Sequence, residues 1–170
     1  HRMALEDEDP MRRIEGIDDL AMTTNGVLLA RQASTLRDAG LDPITVSATS
    51  LDFGVYVPSS AATANTTIKV ACTIPLDLLT DFTVSLSAGN AVTPATRLLR
   101  HGGDQLGYNI FADAGYTAVW GDGSAGSVTQ GYSSILALGS AQFTGFGRLP
   151  QGQYVAAGSY GDHITVTVTF

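Results

Sequence analysis

"GDHITVTVTF" (residues 161–170) closes the chain, and its reading decides the fold. Ile164, Val166, Val168 and Phe170 alternate with Thr165, Thr167 and Thr169. A period of two sends one set of side chains into a core and the other towards water, which is the pattern of a β-strand. Valine, isoleucine and threonine are β-branched, and that stiffness favours extended backbone. A strand in this position raises a question of pairing, because an edge leaves a row of N–H and C=O groups without partners.

Outward from this strand, the same grammar extends back to Pro43 and stops there. Residues 44–170 are rich in Thr, Ser, Val and Gly, and hold seven Asp, three Arg, one Lys and no Glu. Residues 1–43 hold nine acidic and five basic side chains, so the composition changes abruptly at that point. After it, short apolar–polar alternations predict strands near 44–48, 54–57, 64–71, 81–87, 98–99, 106–112, 128–138, 143–149 and 162–170. Between them lie "SAGNAVTPATR", "DAGY", "GDGSAG" and "LPQGQY", built on Gly, Asn, Asp and Pro, which permit the dihedrals that turns require. Many short strands, with helical signals absent from this part, point to an all-β sandwich or barrel.

The segment before Pro43 supports two readings. "VLLARQASTLRDAG" places Leu28, Leu29, Gln32 and Leu36 at helical spacing, with Gly40 as a stop. "LAMTTNGVLLA" also scans as a strand, with Leu20, Met22, Thr24, Gly26, Leu28 and Ala30 on one side. Periodicity alone does not choose between them.

Bulk properties narrow the function classes. A chain of 170 residues, 44% of them hydrophobic, is long enough to bury a core. Its net charge of -7 and pI near 4.6 argue against a surface that tracks phosphates, so nucleic acid is not an expected partner. Apolar runs are only a few residues long, which argues against membrane insertion by a helix. "HRMALEDEDP" has no basic start followed by an apolar stretch and a cleavage site, so no signal peptide is expected in this chain. With Cys72 as the one cysteine, no internal disulfide can form, and the bland reading of Cys72 is a small buried hydrophobe.

Motifs with chemical meaning are weak. Gly121, Gly123 and Gly126 in "GDGSAG" fit G-x-G-x-x-G, but the residues after them look like strand rather than helix, so a hairpin turn is the better account. Ser159, Asp162 and His163 invite comparison with a hydrolase triad, yet adjacent residues of a strand face opposite ways. His101 lies in a turn without metal-ligating neighbours, and Asp104, Asp113 and Asp122 fall in separate turns. No catalytic residue, cofactor or metal is expected. One loop is a candidate for sugar binding: Tyr116, Trp120 and Asp122, with Asn109, could stack on and orient a glycan, although Trp120 also reads as a packing residue.

The segments "TVSATSLDFGVYVP", "TIKVACT", "FTVSLSAG", "RLLRHGGDQLGYNIFAD", "VWGDGS" and "FTGFGRLPQGQYVAAGSYGDHITVTVTF" together resemble the spore coat protein U domain, the fold shared by subunits of archaic chaperone-usher pili. The likeness covers about residues 44–170. It implies an incomplete immunoglobulin-like β-sandwich that lacks its final strand and is completed by a donated one. Ile164, Val166, Val168 and Phe170 would then line the edge of an acceptor groove, and residues 1–43 would be an extension containing a donor strand at about 20–30. Leu20, Met22, Thr24, Gly26, Leu28 and Ala30 would be its groove-facing positions.

The resemblance further implies a structural subunit of an extracellular, cell-surface fibre reached through the periplasm. Its partners would be identical or related subunits through donor-strand exchange, with a periplasmic chaperone and an outer-membrane usher during assembly. Adhesion and biofilm formation would follow. A spore or cell-surface coat protein and a carbohydrate-binding tip adhesin are the alternatives. The family usually joins its first two strands by a disulfide; here Ile44 takes the first cysteine position and Cys72 keeps the second.

Overall fold

Alternating β-branched residues give this chain its strands, and turns rich in Gly, Asp and Asn separate them. The computed structural model describes residues 19–23, 44–72, 81–133 and 139–169. In chain order the strands are β1 (Asp19–Thr23), β2 (Ile44–Ala48), β3 (Ala62–Cys72), β4 (Asp81–Leu86), β5 (Leu98–His101), β6 (Asp104–Gly107), β7 (Asn109–Phe111), β8 (Gln130–Ser133), β9 (Gly139–Leu149) and β10 (Thr165–Thr169). A 3₁₀ turn, Pro94–Thr96, precedes β5, with proline supplying the fixed φ its start requires.

Two four-stranded sheets form the layers, in the orders β1-β10-β4-β8 and β2-β3-β9-β7, while β5 and β6 make a separate hairpin. The longest pairing joins β3 to β9 in antiparallel register over eleven residues, from Ala62 opposite Leu149 to Cys72 opposite Gly139. Along β3 the pleat buries Thr66, Ile68 and Val70 and exposes Asn65 and Lys69. Ile68 and Val70 pack among Ala141, Phe143 and Leu149 of β9 and Val84, Leu86, Val166 and Val168 of the other sheet. Each fully buried Val, Ile or Leu contributes about 1.5–3 kcal/mol, so this interior supplies most of the drive to fold.

Trp120 fills the centre. Its ring centroid lies 6.2 Å from that of Phe143, and its indole N–H donates to the Val84 carbonyl oxygen at 2.9 Å. Room for the indole comes from Gly145, where a Cβ would stand 2.8 Å from Thr66 Cγ2, 3.0 Å from Ile110 Cγ2 and 3.4 Å from Trp120 Cζ3.

Several boundaries differ from those read in the sequence. Residues 54–57 were expected as a strand and form a loop: Gly54 has φ of +63° and Val55 is 92% exposed. The loop is held by the segment that follows β9, with the Tyr56 hydroxyl donating to the Pro150 carbonyl oxygen and accepting from the Gln153 N–H. Val55 and Val57 therefore mimic alternation without a sheet behind them. The expected strand at 106–112 is divided between β6 and β7, and the one at 128–138 starts at Gln130, with 134–138 outside the described residues. "GDGSAG" is a turn, as expected, and Asp122 Oδ1 accepts from both the N–H and the hydroxyl of Ser124.

Candidate functional site: the edge of β10

The last strand is interior on one flank and reached by the N-terminal segment on the other. Towards β4 it pairs antiparallel, with Val166 opposite Leu86 and Val168 opposite Val84. On its other side β1 pairs in parallel, placing Leu20 opposite Val166 and Met22 opposite Val168. Ile164, Val166 and Val168 are buried, while Thr165, Thr167 and Thr169 are half-buried. Phe170 lies outside the described residues, as do Thr24, Gly26, Leu28 and Ala30.

What holds β10 in place begins just before it. Asp162 is buried; its Oδ1 accepts from the N–H groups of Asn90 (2.7 Å) and His163 (2.8 Å), and its Oδ2 accepts from the Tyr108 hydroxyl at 2.7 Å. Gly89, at φ +62°, lies so close to this carboxylate that a side chain there would collide with it. Ser87 makes the next join: its hydroxyl accepts from the Thr165 N–H at 2.9 Å, and its N–H donates to the Thr165 carbonyl oxygen at 3.0 Å.

Behind Ser87 sits Arg97, wholly buried. Its Nε and Nη2 donate to the Ser87 carbonyl oxygen at 2.9 and 2.7 Å, Nη2 also to the carbonyl oxygens of Trp120 (2.8 Å) and Leu86 (3.3 Å), and Nη1 to Asn109 Oδ1 at 3.0 Å. A guanidinium caged by oxygen dipoles is satisfied in its hydrogen bonds, yet its charge has left water. Burial accordingly pulls the Arg97 pKa below its ordinary value, against the opposing pull of Tyr108, Asp162 and Asp122. The Tyr108 phenol is pushed far up from its ordinary 10.0, first by burial and then by the charge and hydrogen bond of Asp162. These groups form a fixed support that sets where β10 starts.

The candidate sugar loop takes another form. Trp120 is 0% exposed, so its indole offers no face to a ligand, which corrects the stacking role considered for it. Asn109 is spent on Arg97, the Ala95 carbonyl oxygen and the Ile110 N–H. Tyr116, at φ +56°, stands edge-on to Phe111 with ring centroids 5.5 Å apart, and the Arg148 guanidinium carbon lies 5.3 Å from its ring centre. Asp122 is exposed and engaged within its own turn, and its hydrogen bonds with Ser124 hold its carboxyl below the usual range. The loop does not bring Tyr116, Trp120 and Asp122 together as one surface.

The remaining polar residues also find local employment. His101 Nδ1 lies 3.0 Å from the Ser159 carbonyl oxygen, and its ring rests against Tyr160. Among the described residues no group of three or more His, Cys, Asp or Glu could hold a metal ion. Arg97 and Tyr108 were not singled out in the sequence. A lone arginine among apolar residues in "ATRLL" was the available signal.

Two facing four-stranded sheets, antiparallel except where the N-terminal β1 runs parallel along β10 as the edge strand, define an immunoglobulin-like all-β sandwich. The chain belongs to the Spore Coat Protein U domain family, whose domain matches residues 39–167. Across β2 and β3, Ile44 lies opposite Cys72. A chain in the crystal structure of the CsuC–CsuE chaperone–tip adhesion subunit pre-assembly complex, from the archaic chaperone-usher Csu pili of Acinetobacter baumannii, has a similar fold. The TM-score is 0.50 at 19% identity, over 75% of this chain and 40% of that one.

A second likeness is short and of another kind. Over 43 residues, 25% of this chain, the sequence is 69% identical to the GTP 3',8-cyclase of Xanthomonas axonopodis pv. citri (strain 306). Over 47 residues it is 49% identical to that of Rhodopirellula baltica. Either match spans 13% of the length of the enzyme.

Proposed function

We propose that this chain is a structural subunit of an extracellular fibre of the chaperone-usher kind, joined to its neighbours by donor-strand exchange and serving adhesion and biofilm formation. The observation that carries the reading is the flank of β10 away from β4, occupied by β1, a strand separated from β2 by residues 24–43. An edge filled by a non-contiguous strand is an edge that another chain's strand can fill, through main-chain hydrogen bonds and alternate side chains. Ile164, Val166, Val168 and Phe170 form the acceptor side. Leu20, Met22, Thr24, Gly26, Leu28 and Ala30 form the strand this chain can offer. Four apolar side chains buried at about 1.5–3 kcal/mol each would make such a joint long-lived.

The partners in this reading are like subunits, a periplasmic chaperone and an outer-membrane usher, and the destination is the cell surface. The role is structural rather than catalytic. Membership of the Spore Coat Protein U family favours a second reading, a spore or cell-surface coat protein that layers instead of forming long fibres.

Electron microscopy of the purified protein, with gels run before and after heating, tests both. Filaments and heat-sensitive ladders support exchange, and flat arrays support the coat reading. A monomer that stays folded with nothing on the β10 edge sinks the fibre proposal.

A further inference from the structure

We infer that the outer face of the sheet β2-β3-β9-β7 carries a binding site of its own, an aromatic–arginine platform for a carboxylated polysaccharide. The site goes beyond the fibre reading, because β10 belongs to the other sheet and a strand exchanged there does not cover it. The pleat builds most of it. On β9, Gly145, Gly147 and Leu149 are buried, so Phe146 and Arg148 face outward; on β7 the buried Ile110 leaves Phe111 outward, directly opposite Phe146. A third ring comes from the turn after β7. Tyr116 sits at φ +56°, a left-handed conformation that bulky residues rarely adopt. The turn holds it there: its N–H donates to the Asp113 carbonyl oxygen at 3.1 Å, and the Asp113 carboxylate accepts from the N–H groups of Thr117 (3.0 Å) and Ala118 (2.7 Å). Tyr116 thus meets Phe111 edge-on and lies under the Arg148 guanidinium.

The chemistry of these groups is unspent. All three rings are half-buried, and Arg148 is exposed. Among the described residues, neither the Arg148 guanidinium nor the Tyr116 hydroxyl has a hydrogen-bond or ion-pair partner. Asn65 and Thr63, exposed on β3 opposite Phe146 and Arg148, add an amide and a hydroxyl. Charge then selects the ligand. The chain carries a net charge of -7, yet β2, β3, β7 and β9 contain no Asp or Glu, and their charged residues are Lys69 and Arg148, both exposed. Asp113, in the adjoining turn, is occupied by its own N–H donors. A positive face on an acidic protein suits an anion. Aromatic rings attract the C–H face of a pyranose, and a guanidinium fork matches a carboxylate with two parallel hydrogen bonds. A sugar that bears a carboxylate satisfies both.

Calorimetric titration of the full chain with polygalacturonate tests this, with neutral dextran and inorganic polyphosphate as comparison polymers. Polygalacturonate should bind at least ~10-fold more tightly than either, and less tightly as salt rises. Arg148→Gln and Tyr116→Gly should each weaken that binding at least ~10-fold while melting within about 2 °C of the parent, since glycine suits the φ that Tyr116 adopts. Lys69 pairs with Gln142, six residues from Arg148 along β9 and about 20 Å away, so Lys69→Gln should weaken binding less than ~3-fold. Polyphosphate bound as tightly as polygalacturonate, or Lys69→Gln as damaging as Arg148→Gln, would overturn the platform in favour of diffuse charge. Absence of binding to polygalacturonate would overturn it as well, and salt-sensitive self-association lost in Arg148→Gln would then assign the face to a second copy of the chain. The fibre reading stands or falls separately, on the β10 edge.

Discussion

Replacing Arg97 by methionine keeps an unbranched, flexible stem, shortens the side chain by about two atoms, and removes its charge and all five donors. Two carbonyl oxygens, those of Ser87 and Trp120, then lose the guanidinium contacts at 2.7–2.9 Å, and Asn109 Oδ1 keeps only the Ile110 N–H. Each orphaned buried acceptor costs about 1–3 kcal/mol, for a gross loss of about 2–6 kcal/mol. Against this, the cation no longer has to be kept out of water, which returns part of the loss. A net destabilisation of about 2–4 kcal/mol is expected. For a chain of this size that lowers the melting midpoint by ~4–16 °C. The assay is urea unfolding followed by the fluorescence of Trp120, the single tryptophan, whose buried indole shifts to the red when the core opens. An Arg97→Met protein with an unchanged or higher midpoint and the same urea slope would refute the reasoning, since the oxygen cage would then merely offset the cost of burying the charge.

Gly145→Ala should destabilise by about 1–3 kcal/mol through overpacking against Thr66, Ile110 and Trp120. Gly131→Ala, whose nearest contact would be the Phe82 carbonyl oxygen at 3.7 Å, should be neutral or gain up to about 0.5–1 kcal/mol in the same denaturation assay. Because Tyr108 holds its proton more tightly when folded, the unfolded chain releases it first as pH rises. Stability is therefore fully present below pH 10 and falls above it, and Tyr108→Phe should flatten that alkaline limb in pH-dependent melting curves. At neutral pH the same variant should lose about 1–3 kcal/mol, as Asp162 Oδ2 forfeits a buried partner. Trp120→Ala should cost about 3–5 kcal/mol in circular-dichroism melts; normal stability with abolished glycan binding would instead restore the sugar-platform role.

Much of the sandwich could be read from residues whose environment is set locally. The alternation of Ile164, Val166 and Val168 marks β10 because sheet and solvent faces differ at every second residue. Tyr56 shows the limit: it sits between Val55 and Val57 in an apparent strand, and only its hydrogen bonds to residues 94 and 97 positions away reveal a loop. Arg97 was illegible for a related reason. Its acceptors come from residues 86, 87, 109 and 120, and no local pattern encodes a cage assembled from such distances. Before Pro43 the strand and helix periodicities overlap, and local pattern alone could not choose between a donor strand and a short amphipathic helix.

The direction of β1 has a geometric consequence. Running parallel, it enters the sheet beside Thr165 and leaves beside Thr169. A strand arriving from another molecule in the opposite sense would enter beside Thr169, and its parent body would hang from the other pole. Under the proposed strand exchange, orientation at five residues would thus set the pole from which each neighbour extends, while a head-to-tail joint would give the assembly distinguishable ends in either sense.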